Sequence, residues 1–180
     1  MKLRALLPVF LLVFAACPEP RKAFFWRITS SSVEFGQCTD EAWFRDSFQA
    51  PDAGDSTYLI YEISKDGKTA TGLDCTRVDI DTCTTPVNAI TWQVNGKELS
   101  RTATFDSSIP DAGCTIEENL TDTITDNGKT MDDAVVDVIS LVDEQAGACA
   151  DLDAQVKAHA TNGFGLEGCV VTLKLGGELK

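Results

Sequence analysis

The sequence is poor in the residues that most catalytic and metal sites use. It has one histidine, His159, and none of its seven cysteines forms a Cys-x-x-Cys pair. Gly-x-Ser-x-Gly, phosphate-binding glycine loops and His-Glu-x-x-His are missing as well. Nucleophilic catalysis by serine or cysteine would depend on His159, and structural zinc usually needs close cysteine or histidine pairs. We therefore expect a protein that is not an enzyme and that holds no metal and no cofactor.

Basic residues are also scarce, with 15 lysines and arginines against 28 aspartates and glutamates. The formal net charge of −13 excludes nucleic acid as an expected partner, because phosphate binding needs a basic surface. Two acidic stretches, Asp79-Ile80-Asp81 and Asp126-Asn127-Gly128 with Asp132-Asp133, do not complete a calcium-binding EF-hand loop. We interpret them as turn and loop chemistry.

The sequence has one apolar stretch at its N-terminus, residues 5–16, which follows Lys2 and Arg4. No long apolar run occurs after it. The stretch is too short to cross a bilayer, which needs roughly 20 residues, and it predicts a signal peptide. An ordinary signal peptide cut before Cys17 would want a small residue at Phe14. Phe14-Ala15-Ala16-Cys17 instead resembles the lipobox of bacterial lipoproteins, with phenylalanine in place of the usual leucine.

This resemblance implies that residues 1–16 are removed and that Cys17 carries acyl chains such as palmitate that insert into a lipid bilayer. It implies a location on the oxidising side of the bacterial cell envelope, and we expect the outer membrane rather than the inner one. Residues 17–23 are then the lipidated cysteine and a short linker, and residues 24–180 are a single domain.

The cysteine count agrees with an acylated Cys17. Without it, an even set of six remains, which in an exported chain predicts three disulfides. These six are Cys38, Cys75, Cys83, Cys114, Cys149 and Cys169. They allow 15 pairings. The one local expectation is a bridge between Cys75 and Cys83, which would close a small loop.

The rest of the chain alternates apolar and polar residues between hairpin turns such as Asp66-Gly67, Asn95-Gly96 and Asn127-Gly128. We predict a mainly β fold, an antiparallel up-and-down barrel of about eight strands, with one helix at residues 143–160 before the last strand at 166–175. A two-sheet β-sandwich is the alternative. The order of elements and Trp26 near the start of the first strand resemble lipocalins, although Phe24 stands where their Gly-x-Trp signature has glycine.

Charged residues share a strand face with apolar ones in the third hairpin. If Asn127-Gly128 is a two-residue turn, Asp122 lies opposite Asp133 and Glu118 opposite Asp137. The other face of the first of these strands is wholly polar and should meet water, so the acidic side chains should point inward. If Phe105 also lies opposite Cys114, Arg101 faces Glu118 and Lys97 faces Asp122.

These pairings predict a hydrated pocket for a small polar or cationic ligand. Its candidate residues are Trp92, Arg101, Glu118, Asp122, Asp133 and Asp137. In the alternative interpretation, the acids merely border an exposed face. The function expected is a membrane-anchored module that binds a ligand or an envelope protein. The alternatives are a structural or assembly component of an envelope complex and an inhibitor of an extracellular enzyme.

The strand after Asn127-Gly128 is apolar on its second face too, through Ala134, Val136, Val138 and Val142. Something should cover this face. We expect the helix to do so with its stripe of Leu152, Val156 and Ala160, held in place by a disulfide from Cys149.

Overall fold

The structure, a computed structural model, describes residues 22–109 and 112–180. The predicted signal peptide, the lipidation site at Cys17 and most of the linker lie outside these residues. The strands are β1 (Lys22–Phe35), β2 (Tyr58–Ile63), β3 (Thr69–Gly72), β4 (Asp74–Cys75), β5 (Cys83–Thr84), β6 (Thr91–Asn95), β7 (Glu98–Ile109), β8 (Cys114–Asp126), β9 (Thr130–Asp143) and β10 (Val170–Leu179). The helices are α1 (Ala42–Arg45) and α2 (Ala148–His159), and a 3₁₀ turn spans Ile80–Thr82.

Eight of the strands form a closed antiparallel barrel in the order β1-β10-β9-β8-β7-β6-β3-β2. β4 and β5 pair separately as a small hairpin between β3 and β6. Neighbours in the barrel follow one another along the chain, because each turn returns the chain beside the strand just completed. The predicted up-and-down barrel, with its helix before the last strand, is confirmed, and the sandwich alternative is wrong.

The two ends of the barrel differ in construction. At the end where β1 starts, which we call the closed end, tight turns at residues 64–68, 96–97 and 127–129 join the strands. The strands β2, β3 and β6 have only six, four and five residues, whereas the other five have 10 to 14. The five longer strands therefore continue alone to the opposite end, which we call the open end. Among the described residues, β7 beyond Ser100 pairs only with β8.

The buried side chains form two clusters, one at each end. The closed-end cluster consists of Trp26, Ile28, Tyr61, Ala70, Trp92, Leu99, Ile124 and Met131. The open-end cluster consists of Cys38, Phe44, Ile139, Leu166, Cys169 and Val171. Residues 36–50, including α1, fold over the open end, and residues 51–57 run back beside β1, where the amide of Gly54 donates to the Ile28 carbonyl at 3.0 Å. Phe44 and Phe48 of this connection pack against Phe35.

Three disulfides, Cys38–Cys169, Cys75–Cys83 and Cys114–Cys149, lie beyond the ends of the short strands, toward the open end. The expected Cys75–Cys83 bridge is confirmed. Three disulfides in a chain of this size fit an oxidising, exported compartment, since thiols in a reducing cytosol stay free.

The helix is shorter than predicted and lies in a different place. Asp143 accepts hydrogen bonds from the amides of Gly147 (3.1 Å) and Cys149 (2.7 Å), so the chain turns there and α2 begins only at Ala148. Cys114 is fully buried at the start of β8, and its disulfide draws α2 over the open end. Leu152 and Val156 consequently pack on the open-end cluster.

The expectation that α2 covers the outer face of β9 is therefore wrong. Val138 and Val142 on that face are 38% and 47% exposed. The last strand also differs from the prediction, because Leu166 and Cys169 belong to the buried connection before it and pairing continues to Glu178 and Leu179. β3 ends at Gly72, where the chain leaves the barrel for the β4–β5 hairpin.

Candidate binding cleft inside the barrel

The register between β7 and β8 decides which charges meet. Ile109 lies opposite Cys114, and Arg101 lies opposite Asp122. The predicted pairing of Phe105 with Cys114 is wrong by four residues, because β7 stays paired with β8 as far as Ile109. The chain reverses after Ile109, where the amide of Gly113 donates to the Ile109 carbonyl at 3.1 Å. Arg101 therefore meets Asp122 instead of Glu118. Lys97 lies exposed in the β6–β7 turn, away from Asp122.

The register between β8 and β9 is shifted by two residues from the prediction. Gly128 and Lys129 are the central turn residues, and the amide of Asn127 donates to the Thr130 carbonyl at 2.9 Å. Gly128 has a φ of 92°, whereas no residue other than glycine has positive φ among the described residues. A turn centred on Asn127-Gly128 would need positive φ at Asn127. A turn with Gly128 as its first central residue needs positive φ only at that glycine. Leu120 thus lies opposite Asp137, and Asp122 opposite Val135.

Both shifts are even, so every side chain keeps the face that the sequence predicted. The inner face of β8 and β9 changes in character along the barrel. Next to the closed end it carries Ile124 and Met131, then Asp122 and Asp133, and further on Glu118 and Asp137. The three aspartates are 3%, 7% and 6% exposed. The acids predicted to point inward do so, and Arg101 shares their face.

Asp122 is the centre of a buried polar network. One of its oxygens, Oδ2, accepts hydrogen bonds from Arg101 Nε at 2.8 Å and from Trp92 Nε1 at 2.9 Å. The guanidinium also lies 5.9 Å from the centre of the Trp92 ring, within range of a cation–π contact. The network anchors Trp92 and Arg101 to the wall of the barrel and leaves the second oxygen, Asp122 Oδ1, with no hydrogen-bond partner.

Asp133 holds a proton near neutral pH. Burial, with the charge of Asp122 and a hydrogen bond to it adding to the effect, raises the pKa of Asp133 to about 8, although the charge of Arg101 opposes this. Asp133 Oδ1 and Asp122 Oδ1 both lack a donor when the two groups are ionised. A protonated Asp133 supplies that donor, because a carboxyl group can donate to a neighbouring carboxylate.

A cavity of about 290 Å³ lies beyond this pair, toward the open end. The sheet contributes Glu118, Leu120, Val135, Asp137, Val171, Leu173 and Val33 to its wall, and the connection after β1 contributes Ser47, Phe48 and Gln49. We call this space the cleft. Phe105 lies opposite Glu118 on the stretch of β7 that pairs with β8 alone, and it is 51% exposed. The structure thus opens sideways beside Phe105.

Asp137 is the buried acid that faces the cleft. Its Oδ1 has no hydrogen-bond partner. Burial, with the charge of Glu118 adding to it, raises the pKa of Asp137 to about 6. Near pH 7 the group is therefore mostly ionised, and its unmet oxygen requires a donor that the described side chains do not supply. A ligand carrying an N–H or ammonium group would supply one.

The predicted pocket residues are thus divided between two layers. Glu118 and Asp137 line the cleft, whereas Arg101, Asp122 and Asp133 lie between it and the closed-end cluster, to which Trp92 belongs. The sequence interpretation missed Phe48 and Gln49 as wall residues. Their signal was the aromatic-rich connection between β1 and β2, which the sequence interpretation did not link to the pocket.

No group of three or more potential metal ligands occurs in residues 22–109 and 112–180. No helix in the same ranges has the length and hydropathy to cross a bilayer. In comparisons with known proteins, no family model, no curated protein and no solved structure matches the chain.

Proposed function

We propose that the protein is a lipid-anchored binding module of the bacterial envelope that takes a small organic cation into its cleft. The observation that carries this proposal is the Asp137 carboxylate, which is buried against an open cavity with one oxygen unpartnered. A buried polar group without a partner costs free energy, and a matching donor from a ligand removes that cost.

The chemistry of the walls defines the ligand. Glu118 and Asp137 present negative charge, while Leu120, Leu173 and Phe48 present apolar surface. Arg101 is already engaged with Asp122, so an anionic ligand would meet acids and no free base in the cleft. An ammonium head with an apolar body therefore fits the cleft. The volume of about 290 Å³ limits the ligand to a small molecule.

The position of the first residue of β1 supports an anchor at Cys17. β1 starts at Lys22, at the closed end, five residues after Cys17. An extended segment of this length spans roughly 15 to 20 Å. Acyl chains on Cys17 would therefore hold the closed end toward the membrane and leave the cleft facing the aqueous compartment, where a soluble cation is accessible.

Phenethylamine is a suitable probe, because it joins an ammonium group to a phenyl ring, and 2-phenylethanol is its neutral counterpart. We expect calorimetry at pH 7.5 to detect binding of the amine and at least tenfold weaker binding of the alcohol. Asp137→Asn and Glu118→Gln should each weaken amine binding by roughly tenfold or more. Equal affinities for the amine and the alcohol would exclude a cation site.

Matched control variants lie on the same two strands with the opposite orientation. Asp132→Asn on β9 and Glu117→Gln on β8 remove the same charges from the outer face. Each should bind the amine with an affinity within about twofold of that of the unsubstituted protein, because neither side chain touches the cleft. If the controls weaken binding as much as the cleft variants, the effect arises from overall charge and the cleft is not the site.

The anchor is tested separately by the mass of the mature N-terminal peptide. Acyl chains on Cys17 would support the anchor, whereas an unmodified thiol or a different start would contradict it. Acyl chains should also move the protein into the membrane fraction, since each buried CH₂ group contributes about 0.8 kcal/mol.

A further inference from the structure

Positive charge is concentrated at the closed end of this acidic protein. Six of the eight lysines in the described residues lie there, and all six are exposed: Lys22, Lys65, Lys68, Lys97, Lys129 and Lys180. Lys65 and Lys68 are in the β2–β3 turn, Lys97 is in the β6–β7 turn, and Lys129 is in the β8–β9 turn. Lys22 begins β1, and Lys180 follows β10. We call these six residues the lysine rim.

Backbone hydrogen bonds between the turns hold the rim together as one surface. The Lys97 carbonyl accepts from the amide of Asp126 at 2.8 Å, which joins the β6–β7 turn to β8. The Lys68 carbonyl accepts from Val94, and the Lys129 carbonyl accepts from Leu179 at 3.0 Å. The lysines therefore surround one end of a rigid barrel, and they do not depend on a flexible segment for their proximity.

Several acids near the rim lysines are engaged in other contacts. Three acids lie in or beside the turns and three more on the adjoining strand ends: Asp66, Glu98 and Asp126, and Glu62, Asp132 and Glu178. Asp66 accepts from the Lys68 amide at 3.1 Å and Asp126 accepts from the Gly128 amide at 2.6 Å, while Glu178 pairs with Arg27 at 2.8 Å. The closed end thus carries six basic and six acidic residues, while the remaining described residues carry six basic against 20 acidic.

We propose that the lysine rim docks on the surface of an anionic phospholipid bilayer. β1 starts at this end, so any N-terminal anchor would bring the rim to the headgroups first. Anionic headgroups attract each lysine near the surface and repel the acidic remainder of the molecule. The two forces act in the same sense and orient the barrel, with the rim on the membrane and the cleft away from it.

This inference extends the proposed anchor, but its test is made independent of acylation. Residues 22–180 contain every element of the barrel, so a chain starting at residue 17 with Cys17→Ser keeps the fold. A hexahistidine tag at its N-terminus tethers it to vesicles that contain a nickel-chelating lipid. The vesicles are otherwise pure phosphatidylcholine, or phosphatidylcholine with about 30 mol % phosphatidylglycerol. An amine-reactive reagent and peptide mass spectrometry then give the modification rate of each lysine.

We expect the rim lysines to react at least about threefold more slowly on the phosphatidylglycerol vesicles, while Lys157 and Lys174 react equally on both. The protection should vanish in about 0.5 M NaCl, where the Debye length falls to a few ångströms. Equal rates for the rim lysines on the two vesicle types would overturn the proposal. Because the tag replaces the acyl chains, an unacylated Cys17 in the native protein would refute the anchor without affecting this result.

Two variants of equal charge separate docking at the rim from general attraction. Lys68→Gln with Lys97→Gln and Lys129→Gln should abolish the protection of Lys22 and Lys180. Arg77→Gln with Lys157→Gln and Lys174→Gln removes three charges elsewhere and should preserve it. If the second variant also abolishes protection, the attraction is not specific to the rim and the proposal is wrong.

Discussion

The closed and open ends of one barrel are stabilised in different ways. At the closed end all eight strands meet, tight turns join them, and the aromatic residues Trp26, Tyr61 and Trp92 fill the interior. At the open end five strands continue alone, and the structure is held by disulfides and by α2. Complete strand pairing and core packing suffice where the wall closes, and covalent links replace them where it does not.

The difference also explains where the acids can lie. The closed-end cluster consists of apolar and aromatic side chains, and within it the Trp26 indole N–H donates to the Tyr61 hydroxyl at 3.0 Å. Toward the open end the wall is incomplete and a cavity remains. Buried carboxylates such as Asp137 are costly there, and stability alone does not require them. Their presence beside a cavity favours a role in binding.

The largest effect should come from the disulfide that closes the longest loop. Cys38→Ser with Cys169→Ser should lower the free energy of unfolding by about 5 kcal/mol, because the bridge spans 131 residues. The same change at Cys75 and Cys83, which are eight residues apart, should cost about 2.5 kcal/mol. Urea unfolding measures both, and equal losses would show that the open end does not depend on long-range cross-linking.

Removing the acceptor of the buried network comes next. Asp122→Ala leaves Arg101 and the Trp92 indole N–H without their partner and should cost about 3 kcal/mol. The expected loss is not larger because Arg101 is partly exposed and Asp133 remains nearby. Asp106→Ala, on an exposed position of β7, should cost less than about 0.5 kcal/mol. A similar loss from the two variants would mean that the network adds nothing to the fold.

The raised pKa of Asp133 predicts a pH dependence with a definite sign. The folded protein keeps the proton up to about pH 8, whereas the unfolded chain loses it near pH 4. The folded state therefore binds more protons in this range, and Asp133 makes stability fall as pH rises from 4 to 8. Asp133→Asn should remove this contribution and stabilise the protein at pH 8 by up to about 5 kcal/mol.

Urea titrations at a series of pH values give the slope for the native protein and the variant. Asp132→Asn, on the outer face beside Asp133, should leave the slope unchanged. An unchanged slope in Asp133→Asn would show that this carboxyl does not retain its proton in the folded state.

The smallest effect should come from the uncovered outer face of β9. Val142→Thr replaces a half-exposed side chain and should change the free energy of unfolding by less than about 0.5 kcal/mol. Ile139→Val, one methylene smaller on the buried inner face, should cost about 1 kcal/mol. A larger loss at Val142 than at Ile139 would imply that something covers this face after all.

Alternation of apolar and polar residues was enough to predict the barrel and the inward face of the acids. Register was not predictable to the residue, because it depends on which turn residue takes positive φ and on how far β7 stays paired. Each side chain nevertheless lies on the predicted face of the sheet, because the register shifts of two and four residues are even. The position of α2 could not be predicted either, since it follows from the Cys114–Cys149 bridge, one pairing among many.

The most direct test of the cation-binding cleft is a carbon-detected NMR titration of the aspartate carboxyl groups, with and without phenethylamine. The account predicts pKa values of about 6 for Asp137 and about 8 for Asp133 in the free protein. The pKa of Asp137 should fall when the amine binds, because the ammonium group favours its ionised form. An ordinary pKa for Asp137 in the free protein, or one that the amine leaves unchanged, would contradict the proposed cation site.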